Sequence, residues 1–422
     1  MIRTKHGNRE CVIGAVVSVG PVPESAISPF AATVNGLRQQ IYAKLSAAGP
    51  VHQVVMPSGT PAWLVTGLSE VRAALADPRL VKAPPNVTRS TSGLPPGIDR
   101  AMNTDMLHLD PPDHSRLRKL VAAAFTRRRV EKLTPRMAEI ADQLLDDVAG
   151  DVGSIDLIDR YAFPLPMTVI CELVGVPMAD AGVFRGWSTT IITGSLADPT
   201  EWVDAAAALV DYIRALVADK RVTPGDDLLS ALIASRDGHD RLSEDELTSM
   251  VVLLLIAGHE TTVNLIGNAL NLLLQHPAQL ANVLAAPGLI AAVVEEVLRF
   301  EGPVQVATPR FAAEPVTIAG TLIPTGSMVF AAVLAAGRDA AIDRGDQFDP
   351  HRQHQQHVSF GHGIHYCLGA QLARTEATIA LERLLARFPD IRLAIPVDQL
   401  TWRPSVLMNG LNQLPVILRA QV

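Results

Sequence analysis

The sequence predicts a mainly helical protein with a small β-sheet region. Apolar residues follow helical spacing almost without pause over residues 115–235, with prolines at the breaks between helices. A second long helical pattern covers residues 243–275. Strand-like segments at 316–318 and 328–332 are joined through a Pro-Thr-Gly turn, which adds a small β part.

The N-terminal part of the chain combines short helices with a hairpin. Residues 34–47 and 71–76 have helical spacing, and the stretch 51–65 has the pattern strand, turn, strand. No linker-like segment divides the rest of the chain. We therefore expect a single domain over residues 21–422, preceded by a weakly structured segment at 1–20.

Residues 84–104 differ from their surroundings because they are rich in Pro, Ser, Thr, Gly and Asn and show little periodicity. A structureless segment of this length is unusual inside a compact domain and often serves as a lid or binding loop. The alternative is a mobile surface loop. Both interpretations predict a long loop here.

The pattern at 243–275 predicts a long helix in the centre of the protein. Ser243 and Glu246 form the signature of a capping box, which starts a helix. About 32 residues at 1.5 Å each span roughly 48 Å. The helix is apolar on nearly every face over residues 250–256, which is typical of a buried helix. Further helices are expected over residues 289–299 and 368–387.

Composition excludes several classes of protein. Of the 422 residues, 48% are hydrophobic and 19% are charged, which is too apolar for a disordered chain. The formal net charge of -7 disfavours general nucleic-acid binding, which needs a basic surface. The apolar runs 11–22 and 251–258 are shorter than the roughly 20 residues that span a bilayer, so we expect no membrane segment.

Three cysteines, Cys11, Cys171 and Cys367, lie far apart in the chain. Neither a disulfide framework nor a CxxC metal site is expected from this spacing. Such cysteine usage fits a reducing compartment, so we expect the protein to be cytoplasmic.

The segment 360–369 carries the strongest chemical signal in the sequence. It places Cys367 among three glycines, which let the backbone bend sharply and let a flat group approach closely. A helix follows, so the cysteine lies near a helix N-terminus, where the dipole and free N–H groups favour a thiolate. A thiolate held in this way is a good axial ligand for haem iron. Taken alone, the cysteine would instead be interpreted as a buried structural residue.

A polar segment, residues 257–262, interrupts the apolar central helix. Gly and Thr in the middle of a helix can loosen its hydrogen bonds, so we expect a local bulge here. Glu260 and a neighbouring hydroxyl beside such a bulge could handle protons in a dry cavity. The alternative, a polar patch that is hydrogen-bonded to neighbouring helices, is equally compatible with the sequence.

Two further groups of charged residues stand out. Glu296 and Arg299 are three residues apart on one helix face, and a surface ion pair of structural value is expected. A set of cations could neutralise the carboxylates of a buried ligand, although each alone would be interpreted as a solvated charge. These cations are His114, Arg118, Arg310 and His365.

Taken together, these motifs resemble those of the cytochrome P450 family, from about Pro29 onward. Four segments occur in the family's order: 257–262, 296–299, 348–350 and 360–369. The segment 110–118 further resembles the bacterial members that tailor macrolides and other secondary metabolites. The resemblance implies the cytochrome P450 fold, a helical haem-binding domain with a small β-sheet region.

The resemblance also implies roles for individual residues. Cys367 would be the axial thiolate ligand of heme b, and Glu260 with Thr261 would deliver protons to dioxygen. Gly337 stands where the family often has Asn, a departure that we expect to concern packing. The implied cofactor-binding residues are His114, Arg118, Ala257, Arg310, Phe360, Gly361, His365, Cys367 and Gly369.

We therefore interpret the chain as a haem-thiolate monooxygenase that hydroxylates or epoxidises a bulky apolar small molecule, such as a macrolide, terpenoid or steroid. A peroxide-using hydroxylase is the first alternative, and Glu260 with Thr261 argues against it. A haem-based carrier or sensor without turnover is the second. The expected pocket residues are Leu255, Val304, Val306, Leu407 and Met408, with Gln305 and Asn409 as isolated polar groups.

Electrons are expected to come from ferredoxin and ferredoxin reductase, because the chain has no GxGxxG pattern after a strand. A monomer is expected. A basic stretch could dock an acidic ferredoxin, although a charge run is more often only a solvated helix face. This basic stretch consists of Arg116, Arg118, Lys119, Arg127, Arg128, Arg129 and Lys132.

Overall fold

The computed structural model describes Phe30 and residues 36–83, 93–196, 198–234, 242–353 and 356–418. The expected weak structure of residues 1–20 lies outside these residues. Within the described part, the chain forms α-helices and three small sheets. The mainly helical fold class is therefore confirmed.

The helices follow the prolines and caps of the sequence closely. They are α1 (Leu37–Ala48), α2 (Leu68–Ala76), α3 (Pro96–Asn103), α4 (Asp113–Ala122), α5 (Arg127–Val148), α6 (Pro164–Val174), α7 (Ala181–Thr193), α8 (Pro199–Val222), α9 (Leu228–Ala234), α10 (Glu244–Gln275), α11 (Pro277–Ala285), α12 (Ile290–Glu301), α13 (Val333–Ala336) and α14 (Ala370–Arg387). The strands are β1 (Val51–Val55), β2 (Pro61–Val65), β3 (Leu80–Val81), β4 (Ser154–Asp156), β5 (Arg310–Ala312), β6 (Val316–Ile318), β7 (Thr321–Ile323), β8 (Met328–Ala331), β9 (Arg392–Leu393) and β10 (Pro415–Ile417).

The largest sheet has the strand order β1-β2-β8-β5-β3. The predicted hairpin is confirmed as β1 and β2, which pair antiparallel with Val51 opposite Val65. β8 pairs parallel with β2 and antiparallel with β5, so it joins the hairpin to the C-terminal half. The predicted strand β6 pairs with β7, a strand that the sequence analysis did not identify.

The central helix α10 organises the packing of the whole domain. Its capping box is formed: Ser243 N donates to Glu246 Oε2 at 2.8 Å, and Glu246 N donates to Ser243 Oγ at 3.1 Å. The helix contacts α3, α6, α8, α12 and α14. By length and composition α10 could cross a membrane, yet 72% of its apolar window is buried inside the protein. It is the core helix that the sequence predicts.

One expected loop is partly helical. Residues 96–103, within the predicted loop 84–104, form α3, while 84–92 lie outside the described residues. Pro96 suits the first turn of a helix because its missing N–H would have no helical partner there. Ala101 and Met102 are buried, and the helix packs on α8 and α10. Tertiary packing therefore stabilises a helix that the local composition disfavours.

The ion pair of α12 is buried, not on the surface as expected. Arg299 is 0% exposed and donates to Glu296 from Nε at 2.8 Å and from Nη2 at 2.6 Å. Its Nη1 donates to the carbonyls of Gly337, at 2.5 Å, and Gly345, at 2.7 Å, and its Nη2 to that of Gln347, at 2.8 Å. The pair thus fastens α12 to the segment that leads toward Cys367.

The close approach of Gly337 to α12 gives a stability prediction. A Cβ at this position would overlap the carbonyl oxygen of Arg299, which belongs to backbone and cannot move aside. We expect Gly337→Ala to lower the free energy of unfolding by about 1–3 kcal/mol, as overpacking does. Urea unfolding of the purified protein measures the change.

Gly97→Ala is the matched control, because a Cβ there meets no atom within 4 Å and the residue lies in α3. We expect it to be neutral or to stabilise by up to about 1 kcal/mol. Equal effects of the two substitutions would contradict the steric explanation.

Candidate functional site

The glycine-rich segment forms a tight loop in front of α14. Cys367 N donates to Phe360 O at 2.8 Å, which closes the loop, and α14 begins three residues after the cysteine. Gly363 has a φ of 74°, a left-handed conformation that favours glycine. A Cβ on Gly363 would also lie 3.0 Å from Leu75 O of α2. The glycine therefore lets α2 pack directly against the loop.

The Cys367 side chain lines a cavity and is exposed to it. Burial raises the pKa of this thiol, and the Gly369 N–H, Arg118 and Arg374 only partly oppose that effect. The Gly369 N–H favours the thiolate, as expected near a helix N-terminus, but in the free chain burial has the larger effect. A bound metal cation would deprotonate the thiol, because coordinated thiols lose their proton.

The loop is held from the side by a half-buried carboxylate of α12. Glu295 accepts from Arg374 Nε at 2.5 Å and lies 3.1 Å from His357 Nε2. Burial opposes ionisation here, but hydrogen bonds from His357 and Arg374 lower the pKa of Glu295 to about 2. The Arg374 guanidinium in turn lies 4.3 Å from the ring centre of Phe360. Thus α12 and α14 together fix one wall of the loop.

A cavity of about 280 Å³ lies between the cysteine loop, α10 and the chain around β5. A larger space of about 910 Å³ beside α1 and α2 shares none of its lining residues. Most of the predicted site residues line the smaller cavity, and Glu260 and His114 do not. The predicted residues in its wall are Arg118, Ala257, Thr261, Arg310, Phe360, Gly361, His365, Cys367 and Gly369.

The four predicted cations gather at one end of the cavity. Arg118 Nη2 donates to Tyr366 O at 2.7 Å, so α4 is attached directly beside the cysteine. The rings of His114 and His365 meet edge to face, with centroids 4.5 Å apart. Arg310 Nη1 donates to Leu80 O at 3.3 Å. Residues that lie far apart in sequence thus form one basic wall.

This basic wall has hydrogen-bonding capacity that the protein itself does not use. The buried atoms His365 Nε2 and Arg310 Nε have no hydrogen-bond partner among the described residues. Burial, followed by the charges of Lys82 and Arg310, lowers the pKa of His365 to about 3. Unpaired buried polar atoms are costly unless a ligand satisfies them. With the thiol beside them, these residues fit a haem that carries two propionates.

The segment 257–262 is regular helix, and the expected bulge is absent. Thr261 Oγ1 donates to Ala257 O at 2.8 Å and Thr262 Oγ1 to Gly258 O at 3.4 Å, so both hydroxyls supplement the helical ladder. A Cβ on Gly258 would lie 2.8 Å from Ile170 Cδ1. The glycine therefore permits close packing of α6 on α10 without bending the helix.

Glu260 points away from the cavity. It is 2% exposed, and Arg403 Nη1 donates to its Oε1. Its Oε2 lies 3.5 Å from His259 Nε2, while His259 Nδ1 lies 2.7 Å from Leu255 O. The Arg403 side chain is 18% exposed, so this buried carboxylate is linked to the surface. Glu260 and Thr261 are neighbours in sequence but face different surroundings.

The polar groups expected in the substrate pocket are structural. Gln305 Nε2 donates to Ser405 O, and Tyr42 Oη donates to Gln305 Oε1 at 3.3 Å. Asn409 Nδ2 donates to Glu301 Oε1 at 2.7 Å, and its Oδ1 accepts from Arg38 at 2.5 Å. Both side chains are fully buried and engaged. Neither forms part of the cavity wall.

Only Val304 of the expected pocket residues lines the cavity, whereas Leu255, Val306, Leu407 and Met408 do not. The error arose because these segments belong to the core or to the buried polar network around Asn409. Other apolar residues of the cavity wall include Met106, Leu107, Ile170, Leu253, Leu254, Leu265 and Ala307.

The sequence analysis did not identify two residues near the site. Arg403, the partner of Glu260, lies 143 positions away, and no local pattern indicates the contact. Lys82 follows β3 and lines the cavity, and its Nζ donates to Thr308 Oγ1 at 2.5 Å. A single basic residue after a two-residue strand gives no signal that separates it from a solvated lysine.

Two cations of the basic stretch on α4 and α5 form ion pairs with nearby carboxylates. Arg116 pairs with Glu246, and Arg127 Nε donates to Glu131 Oε1 at 2.8 Å. The remaining cations are exposed, and no ion pair with another described residue is seen for them. These are Lys119, Arg128, Arg129 and Lys132.

Comparison with known proteins agrees with this geometry. A profile of the family "Cytochrome P450" matches residues 198–285 and 288–397. Cytochrome P450 107B1 of Saccharopolyspora erythraea is 48% identical over 386 residues, which cover 90% of this chain and 94% of that protein. Mycinamicin IV hydroxylase/epoxidase of Micromonospora griseorubida is 43% identical over 379 residues, which cover 89% of this chain and 94% of that protein.

A solved structure extends the similarity to three dimensions. The tirandamycin C-bound P450 monooxygenase TamI superposes with a TM-score of 0.84 at 44% sequence identity. The match covers 90% of this chain and 97% of that one. The similarity therefore includes both the helical core and the cysteine loop.

Proposed function

The chain belongs to the cytochrome P450 family, and from that premise we propose that it oxidises a bulky, mostly apolar secondary metabolite by hydroxylation or epoxidation. It is a monooxygenase with heme b as its cofactor. The observation that carries the proposal is that Cys367 and Thr261 line one cavity whose wall is mostly apolar. The names of the relatives describe oxidising enzymes, which disfavours a carrier or sensor without turnover.

Residues of this chain are proposed to hold the cofactor as follows. Cys367 would ligate the iron, and His114, Arg118, Arg310 and His365 would hold the propionates. The unused donors of Arg310 and His365 support this placement. When bound, a haem with a thiolate ligand supplies the activation of dioxygen by O–O cleavage.

Cys367→Ser tests the ligand. We expect the ferrous carbonyl complex to lose the red-shifted Soret band that a thiolate-ligated haem shows, because an alcohol does not replace the thiolate. Cys171→Ser is the control, since Cys171 is buried in α6 and burial raises its pKa to about 12. Survival of the thiolate band in Cys367→Ser would overturn the assignment.

We propose that Glu260 and Thr261 handle protons in two steps. Glu260, paired with Arg403 on its solvent side, would take up a proton from the surface. Thr261 would present its hydroxyl to the cavity after releasing the carbonyl of Ala257. The partial exposure of Arg403 supports an entry route for protons on this side of α10.

Thr261→Ala tests the role of the hydroxyl. We expect unchanged haem content and substrate binding, but less product per nicotinamide consumed and more peroxide released, because the proton donor at the cavity is lost. Thr248→Ala is the matched control, since its hydroxyl makes the same type of bond to the backbone of α10, at 2.8 Å to Glu244 O, and the residue does not line the cavity. An unchanged ratio of product to nicotinamide in Thr261→Ala would reduce Thr261 to a structural residue.

The proposed substrate class rests on the cavity wall. Its apolar residues come from α6, α10 and the segments around residues 106 and 304. Such a wall suits a macrolide, terpenoid or steroid with few polar groups. Screening these classes for spin-state shifts of the haem tests the proposal. Shifts given only by small or strongly polar compounds would contradict it.

We propose ferredoxin as the direct electron donor, reduced in turn by ferredoxin reductase. Arg118 joins α4 to Tyr366 O, next to the cysteine, and α5 packs against α14, the helix that follows the loop. An acidic partner would be steered toward the exposed cations of α4 and α5. We further propose that the protein is a cytoplasmic monomer in which residues 21–422 form one domain.

Reversing two of these charges tests the docking surface. We expect Arg128→Glu/Arg129→Glu to slow reduction by ferredoxin severalfold at low salt and to weaken the salt dependence, with substrate binding unchanged. Lys44→Glu/Arg392→Glu is the charge-matched control, with exposed residues on α1 and β9. A wild-type rate and salt slope in the α5 variant would exclude docking at this surface.

A further inference from the structure

The ammonium group of the half-buried Lys82 lies in the wall of the cavity. Its Nζ donates to Thr308 Oγ1 at 2.5 Å, and to the carbonyls of Thr308 and Pro309 at 3.2 Å each. These three acceptors are neutral. The hydrogen-bond donors of Lys82 are therefore satisfied within the protein, but none of these acceptors balances its positive charge. A charge that is removed from water without a counter-charge is unfavourable.

The surroundings of Lys82 are rich in positive charge. Arg310, in the same wall, is buried and lowers the pKa of Lys82 by its charge. The adjacent carboxylate is Asp110, whose oxygens accept from the backbone N–H groups of Lys82, at 2.9 and 3.0 Å, and Ala83, at 3.1 Å. Asp105, which also acts on Lys82, is held by His108 and Ser249. Asp110 alone cannot balance two buried cations.

We propose that Lys82 is a fifth residue of the propionate site, in addition to His114, Arg118, Arg310 and His365. With Lys82 protonated, it would join Arg118 and Arg310 in facing Asp110 and the two propionates, so three positive charges would meet three negative ones. Without it, the site would hold one negative charge in excess. This inference rests on the proposed placement of the haem, and it assigns Lys82 a role that the sequence motifs do not.

The protonation of Lys82 follows from the same arrangement. Burial and Arg310 lower its pKa to about 7 in the free chain, against the opposing effect of Asp110 and Asp105. Two added carboxylates favour the charged form and raise that pKa. Above pH 7, haem binding therefore takes up a proton at Lys82. Haem affinity falls as pH rises from about 7 toward the higher pKa of the loaded protein.

Haem release from the loaded enzyme to excess apomyoglobin tests the proposal, measured between pH 6.5 and 9. We expect Lys82→Met and Lys82→Gln to release haem about tenfold faster than wild type near neutral pH, and with a flatter pH dependence, because one charged contact is lost. Lys82→Arg keeps its charge throughout this range, so we expect slow release at every pH. The control Lys44→Met removes an exposed lysine of α1, outside the cavity and the docking surface, and should behave as wild type.

The possible results distinguish a propionate contact of Lys82 from a substrate contact and from a failure of haem binding. Wild-type rates and pH slope in both Lys82→Met and Lys82→Gln would overturn the proposal. Unchanged haem release together with weaker binding of a carboxylate probe such as decanoate would also overturn it and would assign Lys82 to an acidic substrate. Lys82→Gln retains a hydrogen bond donor for Thr308, so a folding defect limited to Lys82→Met leaves the test intact. Failure of the proposed function would appear in wild type, as a lack of bound haem.

Discussion

The position of the cysteine depends on one buried ion pair. Arg299 and Glu296 are both fully buried, and the arginine binds three carbonyls of the chain between α13 and the cysteine loop. Glu296 also accepts from Asp349 N at 2.9 Å. Because a buried charge that loses its partner is strongly unfavourable, this arrangement is rigid. The neighbouring Glu295 extends it to α14, so α12 positions the loop from two sides.

The cavity contains several features that are energetically unfavourable in the free chain. Burial raises the pKa of Cys367, buried donors at Arg310 and His365 lack partners, and positive charges lie close together. Each of these features is unfavourable alone and becomes favourable when an anionic, metal-bearing ligand is present. Cofactor binding and stability are therefore coupled, since a ligand that binds only the folded state stabilises it.

The sequence predicted those parts of the molecule that local patterns determine. The capping box of α10, the β1–β2 hairpin and the loop around Cys367 are set by residues within a few positions of one another. The direction of Glu260 could not be predicted, because its partner Arg403 comes from the far end of the chain. Gln305 and Asn409 were wrongly predicted to lie in the substrate pocket for the same reason, because their partners are distant in sequence. A polar residue in an apolar stretch can serve a ligand or a buried network, and only tertiary contacts distinguish the two.

The buried network around Asn409 restricts how the enzyme can change. Asn409 joins Arg38 of α1, Glu301 of α12 and, through its carbonyl, Asn268 of α10. A substitution in this turn would disturb three helices at once, whereas Leu253 and Val304 contribute side chains to the cavity from outside that network. New substrate preferences are therefore more accessible to evolution, and to directed evolution, through the cavity residues than through the C-terminal turn.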